Sequence, residues 1–135
     1  ILGATQAYFV FYGVTASDCG TLSGSSTGAP GGLMVGLVVK FKDEASAAKI
    51  YGDNSTFFGF GPKDLTFIKL AGGNLTTGTL TGLGRQSAVG KASVVGTNYI
   101  IAFWQRKLFE SFLIAYDVAS SEAQQAIMNV NERIQ

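Results

Sequence analysis

The chain contains no histidine and a single cysteine, Cys19, among its 135 residues. Histidine is the commonest general base and metal ligand at neutral pH, so its absence removes the residue on which much acid–base and metal chemistry depends. One cysteine cannot form an internal disulfide or a zinc cluster, and without a histidine partner it is a poor nucleophile. The carboxylates, Glu110 among them, show no paired spacing and are expected to be surface charges. We therefore predict that the protein is not an enzyme and has no catalytic residues, no metal site and no cofactor.

Charge is also scarce. Charged residues make up 14% of the chain, against about 25% in ordinary soluble domains, and the net charge is only +1. Nucleic-acid binding requires a basic stripe, which this composition does not supply, so we expect no nucleic-acid partner. Because a free monomer needs charge to stay soluble, the low content predicts a surface partly covered by protein subunits. These subunits would be further copies or members of a membrane or surface complex.

Residues 1–16 are apolar and allow two interpretations. The length is near the lower limit for spanning a bilayer, which would make the segment the remnant of a signal or anchor. The aromatic and β-branched run "AYFVFYGV" favours a strand instead. Such a strand could belong to the protein's own core, or it could add to the sheet edge of a neighbour. The residues predicted for this assembly strand are Tyr8, Phe9, Val10, Phe11 and Tyr12.

The rest of the chain divides into a linker and one domain. Residues 17–32 are rich in Gly, Ser and Thr, which is linker composition, and residues 33–135 form a single domain. "LMVGLVVKF" (33–41) is typical of a strand, and Asp43 followed by three alanines predicts a short helix over about 43–51. "DLTFIKL" (64–70) alternates and predicts a further strand. The following Gly- and Thr-rich residues favour twisted strands and turns.

The most apolar long stretch is "YIIAFWQRKLFESFLIAYD", residues 99–117. Arg106, Lys107 and Glu110 lie in its middle, and each would cost up to about 3 kcal/mol at the centre of a bilayer. These charges exclude a simple transmembrane helix. Because Tyr, Ile, Phe and Trp favour sheet, we predict a β-hairpin that turns at "QRK".

The last residues predict a helix over about 121–134. Ser121 and Gln124 form a capping-box pattern, and one helical face carries Ala123, Ala126, Ile127, Val130 and Ile134. The resulting fold class is α+β, with an antiparallel sheet of about five to six strands. The short helix and the C-terminal helix are expected to pack on one face of this sheet.

Several segments resemble a known family. "FKDEASAAKIY", "GLGRQSAVG", the hairpin sequence and the terminal "NERI" are similar to small exported lipoprotein-type domains with a PsbP-like sheet. The turn has Arg85-Gln86-Ser87 where the family carries Gly-Asp-x-Ser, and the hairpin lacks the family's Gly-Asn. The resemblance covers residues 33–135 and implies an exported domain attached to a larger membrane or surface complex. It implies no catalytic residues.

Two sequons, at Asn54 and Asn74, fall in predicted loops and are candidate glycosylation sites in an extracytoplasmic protein. The sequence thus predicts a non-enzymatic structural or accessory subunit of a cell-surface or membrane-associated assembly. The alternative is an exported ligand-binding domain, because aromatic side chains line many ligand pockets. The candidate lining of that pocket is Phe57, Phe58, Phe60 and Trp104.

Overall fold

The computed structural model describes residues 3–13, 32–53 and 60–134. These residues form one six-stranded antiparallel sheet in the order β1-β2-β6-β5-β4-β3, with three α-helices, and this confirms the predicted α+β fold. The strands are β1 (Ala4–Gly13), β2 (Leu33–Phe41), β3 (Asn74–Thr77), β4 (Ser87–Val94), β5 (Thr97–Arg106) and β6 (Phe109–Tyr116). The helices are α1 (Glu44–Gly52), α2 (Thr66–Leu70) and α3 (Ser120–Arg133). Cys19 and the predicted linker, apart from Gly32, lie outside the described residues.

The predicted hairpin over residues 99–117 is confirmed as β5 and β6. Their register runs from Tyr99 opposite Tyr116 to Arg106 opposite Phe109, so Lys107 and Leu108 make the turn. Gln105 and Arg106, predicted to lie in the turn, are the last residues of β5 instead. Lys107 takes a positive φ of 53°, the conformation that a two-residue hairpin turn requires. None of the helices in the described ranges is long and apolar enough to span a membrane.

Helices cover both faces of the sheet, and the expectation that they pack on one face is wrong. On the α3 face, Ala102 and Trp104 pack with the residues of α3, and on the α1 face Ile101 and Phe103 pack with those of α1 and α2. Successive residues of a strand point to opposite faces, so the continuous apolar run of β5 supplies both cores. The sheet is therefore the middle of three layers.

The two longer helices, α1 and α3, lie close to their predicted positions. Only α1 has the side-chain cap at its N-terminus that the sequence predicts. The Asp43 side chain caps α1 by accepting a hydrogen bond from the backbone N–H of Ser46 at 2.7 Å. Helix α3 begins at Ser120 and its N-cap, Ala119, makes no side-chain hydrogen bond, so the predicted capping box is not formed. The predicted apolar face of α3 is buried, as shown by the burial of Ala123, Ile127, Val130 and Ile134.

Residues 64–70 are helical and do not form the predicted strand. A 3₁₀ turn over Pro62–Leu65 leads directly into α2, and the Asp64 carboxylate accepts a hydrogen bond from the Gly61 N–H at 2.7 Å. Leu65 and Ile68, three residues apart, are both buried, while Phe67 is half exposed. In a helix, residues three apart lie on the same face, so both aliphatic side chains can be buried together. In a strand, they would point to opposite faces of the sheet.

Candidate protein-interaction edge

Strand β1 is the outermost strand of the sheet on one side. It pairs antiparallel with β2, from Ala4 opposite Phe41 to Gly13 opposite Leu33. Its other edge has no strand beside it in the described part of the chain. Because alternate backbone N–H and C=O groups of a strand point to opposite edges, half of the β1 backbone presents donors and acceptors along this edge that no described strand pairs with.

The β1 side chains are exposed even though most are apolar. Tyr8 is 49% exposed, Phe9 61% and Phe11 56%, and no described β1 side chain is buried. The rings of Phe9 and Phe11 stack on each other with centroids 6.4 Å apart and an interplanar angle of 14°. The strand thus belongs to the protein's own sheet through its backbone, while its described side chains add nothing to the buried core.

The aromatic side chains project from both sides of the strand. Phe9 lies opposite Leu37 on the α1 face, and Tyr8 lies opposite Val38 on the α3 face. The Tyr8 hydroxyl donates a hydrogen bond to Gln6 Oε1 at 2.9 Å. Of the predicted assembly strand, Val10 and Tyr12 have backbones in β1, but their side chains lie outside the described part of the structure. Apolar surface therefore flanks the free backbone edge above and below.

This edge carries little of the protection that edge strands usually have. Residues 4–13, "ATQAYFVFYG", contain no charged residue and no proline, and the one irregularity in the register lies at its start, between Ala4 and Gln6. Soluble proteins commonly protect edges with lysine, proline, bulges or very short strands. The opposite edge follows that rule, since β3 has only four residues, "NLTT". The long uncharged edge of β1 is thus suited to pairing with another strand.

Glu110 is a buried acid, which corrects its prediction as a surface charge. It lies on β6 between Val39 and Gln105, its side chain is fully buried, and its two carboxyl oxygens have no hydrogen-bond partner among the described residues. Burial raises the pKa of Glu110 to about 8, which keeps the group protonated at neutral pH. Alternation along β6, which places Glu110 on the same face as Phe112 and Ile114, is the signal that could have revealed it.

Glu110 belongs to no metal cluster among the residues that the structure describes. Within the described ranges, no group of three or more Asp, Glu, Cys or His side chains is arranged to hold a metal ion. A neutral, buried carboxyl group is instead a feature of the core, where it adjoins Tyr51 of α1. Burial and, to a lesser extent, the charge that Glu110 carries when ionised raise the pKa of the Tyr51 hydroxyl.

The predicted aromatic pocket is not assembled from its described members. Phe57 and Phe58 lie outside the described residues. Phe60 is partly buried on the α1 face, with its ring centroid 5.5 Å from that of Phe103. Trp104 is fully buried on the α3 face, on the other side of the sheet. Phe60 and Trp104 therefore cannot line a common pocket.

Of the two candidate glycosylation sites, only Asn74 lies among the described residues. Asn54 lies outside the described residues. Asn74 is the first residue of β3, where it pairs with Lys91, so it belongs to a strand and not to the predicted loop. Its side chain is nevertheless exposed.

A second apolar surface lies on the α1 face at the other end of the sheet. Half-exposed Phe67 and Val94, together with Tyr99, line a groove with a volume of about 270 Å³. This groove is formed by α2, β4 and β5, so it is separate from the β1 edge. Phe67 consequently offers an exposed aromatic residue that can serve as a control for substitutions in β1.

Comparisons with known proteins assign no family. No protein-family model matches the chain, and a search of curated proteins finds no similar sequence.

Proposed function

We propose that the protein is a non-enzymatic structural or accessory subunit of an extracytoplasmic assembly, at the cell surface or on a membrane, and that it joins this assembly through β1. The observation that carries the proposal is the outer edge of β1, along which no described strand pairs. This edge combines ten residues without charge with Tyr8, Phe9 and Phe11 side chains that are about half exposed. A strand of a partner subunit would bind there by extending the sheet.

Both the backbone and the side chains would contribute to this binding. The backbone groups on the free edge would form ladder hydrogen bonds with the added strand. An aromatic side chain buries about 150–250 Å², so three half-exposed rings offer roughly 300 Å². At about 25 cal/mol per Å² this burial is worth about 7 kcal/mol before the cost of association is subtracted. Association itself costs about 4–15 kcal/mol, so this gain together with the ladder hydrogen bonds indicates a weak, reversible contact.

Composition supports the assignment to an assembly. Only 14% of the residues are charged and 47% are hydrophobic. The resemblance to exported lipoprotein-type domains and the exposed Asn74 sequon support an extracytoplasmic location. The ligand-binding alternative is less well supported, because Phe60 and Trp104, the described residues predicted to line its pocket, are separated by the sheet.

Partner capture tests the proposal. Wild-type protein, Phe9→Lys and the control Phe67→Lys would be immobilised and incubated with solubilised membranes from the cells that produce the protein. We expect a partner subunit, identified by mass spectrometry, to be retained by the wild type and the control and lost with Phe9→Lys. Retention of the same subunits by Phe9→Lys would show that β1 is not the docking element.

Location needs a separate measurement. An epitope-tagged chain in intact producing cells should be degraded by added protease, while a cytoplasmic marker protein stays intact. Protection of the tagged chain until the cells are lysed would contradict the extracytoplasmic part of the proposal and leave the docking part untouched.

A further inference from the structure

We propose that the strand that pairs with β1 is β1 of a second copy of the same chain, so that two six-stranded sheets join edge to edge about a twofold axis. The inference rests on the proposed function and identifies the partner strand. A twofold dimer uses the same surface on both subunits, and β1 meets the geometric and chemical requirements of such a self-complementary surface.

The geometry limits how two copies can pair. A twofold axis perpendicular to the sheet makes the two β1 strands antiparallel and keeps the α1 faces of both subunits on the same side. Directly opposite residues of an antiparallel pair project to the same face, so Phe9 must lie opposite another residue of the α1 face. In β1 these residues are Ala7, Phe9 and Phe11, which pair with Val39, Leu37 and Val35 of β2.

Two registers then use the regular part of the strand, beyond the irregularity between Ala4 and Gln6. In the register centred on Phe9, the two Phe9 side chains are direct neighbours. In the register centred on position 10, Phe9 of each copy lies opposite Phe11 of the other, and the two Phe9 positions are diagonal neighbours. Aromatic cross-strand pairs stabilise a sheet in either arrangement. Position 9 is therefore close to its own symmetry mate in both registers.

Charge favours a second copy over a charged partner strand. Residues 4–13 contain no ionisable group other than tyrosine, so self-pairing buries no charge and creates no like-charge contact. A partner strand with Lys, Arg, Asp or Glu opposite Phe9 or Phe11 would lose hydration without finding an opposite charge. The uncharged strand of an identical chain has no charged side chain and so avoids this loss of hydration energy.

The available area indicates a reversible dimer. Three half-exposed rings in each copy give roughly 600 Å² of aromatic surface for the pair, and the backbone edge adds to it. The total is near the lower limit of about 1,000–1,200 Å² for specific protein interfaces. We therefore expect a dissociation constant on the order of 10 µM, and not a permanent dimer.

Charge-swap variants test the second-copy proposal. Sedimentation velocity between about 1 and 200 µM should show the wild type changing from monomer to dimer. Phe9→Lys and Phe9→Glu should each weaken dimerisation by about tenfold or more, because like charges then meet across the axis. An equimolar mixture of the two variants should dimerise again, while Phe67→Lys should behave as the wild type. Circular dichroism and melting curves would verify that each variant is folded. Phe11→Lys with Phe11→Glu provides a second pair for the register centred on position 10, where the two Phe11 positions are diagonal neighbours.

The outcomes separate this inference from the proposed function. A wild type that stays monomeric throughout, or a mixture that fails to dimerise, overturns the second-copy proposal. If that monomer still captures a partner subunit in a Phe9-dependent manner, the proposed docking through β1 stands. A dimer that survives Phe9→Lys, together with capture that also survives it, overturns both.

Discussion

Tyr51 of α1 and Glu110 of β6 are buried on the same face of the sheet, close enough for the charge of one to affect the other. Burial raises the pKa of Glu110 to about 8, and burial together with the Glu110 charge raises the pKa of Tyr51. No described residue donates a hydrogen bond to the Glu110 oxygens. Ionisation of Glu110 would therefore place an uncompensated charge beneath α1.

This relationship predicts that the protein becomes less stable as pH rises. The unfolded chain releases the Glu110 proton near pH 4.5, whereas the folded state holds it until about pH 8. Between these values the folded state binds more protons, so the free energy of unfolding should fall by up to about 1.4 kcal/mol per pH unit. Above about pH 8 this contribution should no longer change. Urea unfolding at several pH values would measure the slope.

Glu110→Gln should remove most of that slope, because glutamine does not ionise. The exposed residue Glu132 provides the matched control, and Glu132→Gln should keep the slope of the wild type. Equal slopes for the wild type and Glu110→Gln would show that Glu110 is not the group responsible.

Ile68 of α2 packs directly against Gly90 of β4. A Cβ at position 90 would collide with Ile68 Cδ1 while lying 3.4 Å from Cγ1. We expect Gly90→Ala to destabilise the protein by about 1–3 kcal/mol, and Ile68→Val, which removes the colliding Cδ1, to relieve much of that loss in the double variant. Chemical denaturation of both single variants and the double variant measures the coupling free energy between positions 68 and 90.

Gly52 is the control for that experiment, because no described atom lies within 4 Å of a Cβ built there. Gly52→Ala should change stability far less than Gly90→Ala. Strictly additive effects of Gly90→Ala and Ile68→Val would contradict the proposed contact.

Two buried serines should respond differently to alanine. The Ser87 hydroxyl lies 2.7 Å from the Gly84 carbonyl oxygen and 2.8 Å from that of Gly78, whereas the fully buried Ser111 hydroxyl has no partner among the described residues. Ser87→Ala should cost about 1 kcal/mol, because the partly buried hydrogen bond that its hydroxyl donates to one of these carbonyl oxygens is lost. Ser111→Ala removes an unsatisfied polar atom and should be neutral or stabilising. Thermal and urea unfolding compare the two, and a larger loss for Ser111→Ala would mean that its hydroxyl is hydrogen-bonded after all.

Val95 is strained in the turn between β4 and β5. It has a φ of 51°, is followed by Gly96 with a φ of 78°, and is fully exposed. Positive φ is unfavourable for a β-branched residue, and Asn-Gly is a preferred sequence for such a turn. Val95→Asn should therefore raise the free energy of unfolding by about 1 kcal/mol. Val94→Asn, one residue earlier in the strand, should not stabilise the protein, and a gain there equal to that at position 95 would exclude turn strain as the cause.

Local sequence signals predict several elements well. Asp43 and the following alanines identify α1 because capping and helix propensity act within one or two turns. The apolar periodicity through Ala123, Ile127 and Val130 identifies α3 for a similar reason. Within residues 99–117, the charged residues exclude a transmembrane helix, and the β-branched and aromatic residues favour the hairpin. These signals depend on neighbouring residues and do not require the rest of the fold.

The sequence-based predictions are wrong where contacts between residues far apart in the chain decide the local structure or the burial of a side chain. Residues 64–70 alternate well enough for a strand, but α2 forms because Leu65 and Ile68 can be buried together, with Ile68 over Gly90. Glu110 is an acid, which by residue type alone belongs on the surface, but its register between Val39 and Gln105 places it beneath α1. Local propensity is weak compared with such tertiary packing.

The β1 edge shows the same division between local and distant causes. Residues 4–13 are recognisable as an aromatic strand without charge from the sequence, since β-propensity and composition are properties of the segment alone. Their place at the end of the sheet, with β2 on one side and no described strand on the other, is a property of the whole fold. The reason is physical: β6 pairs along one edge of β2, so β1 can pair only along the other edge, where it ends the sheet and keeps Phe9 and Phe11 accessible.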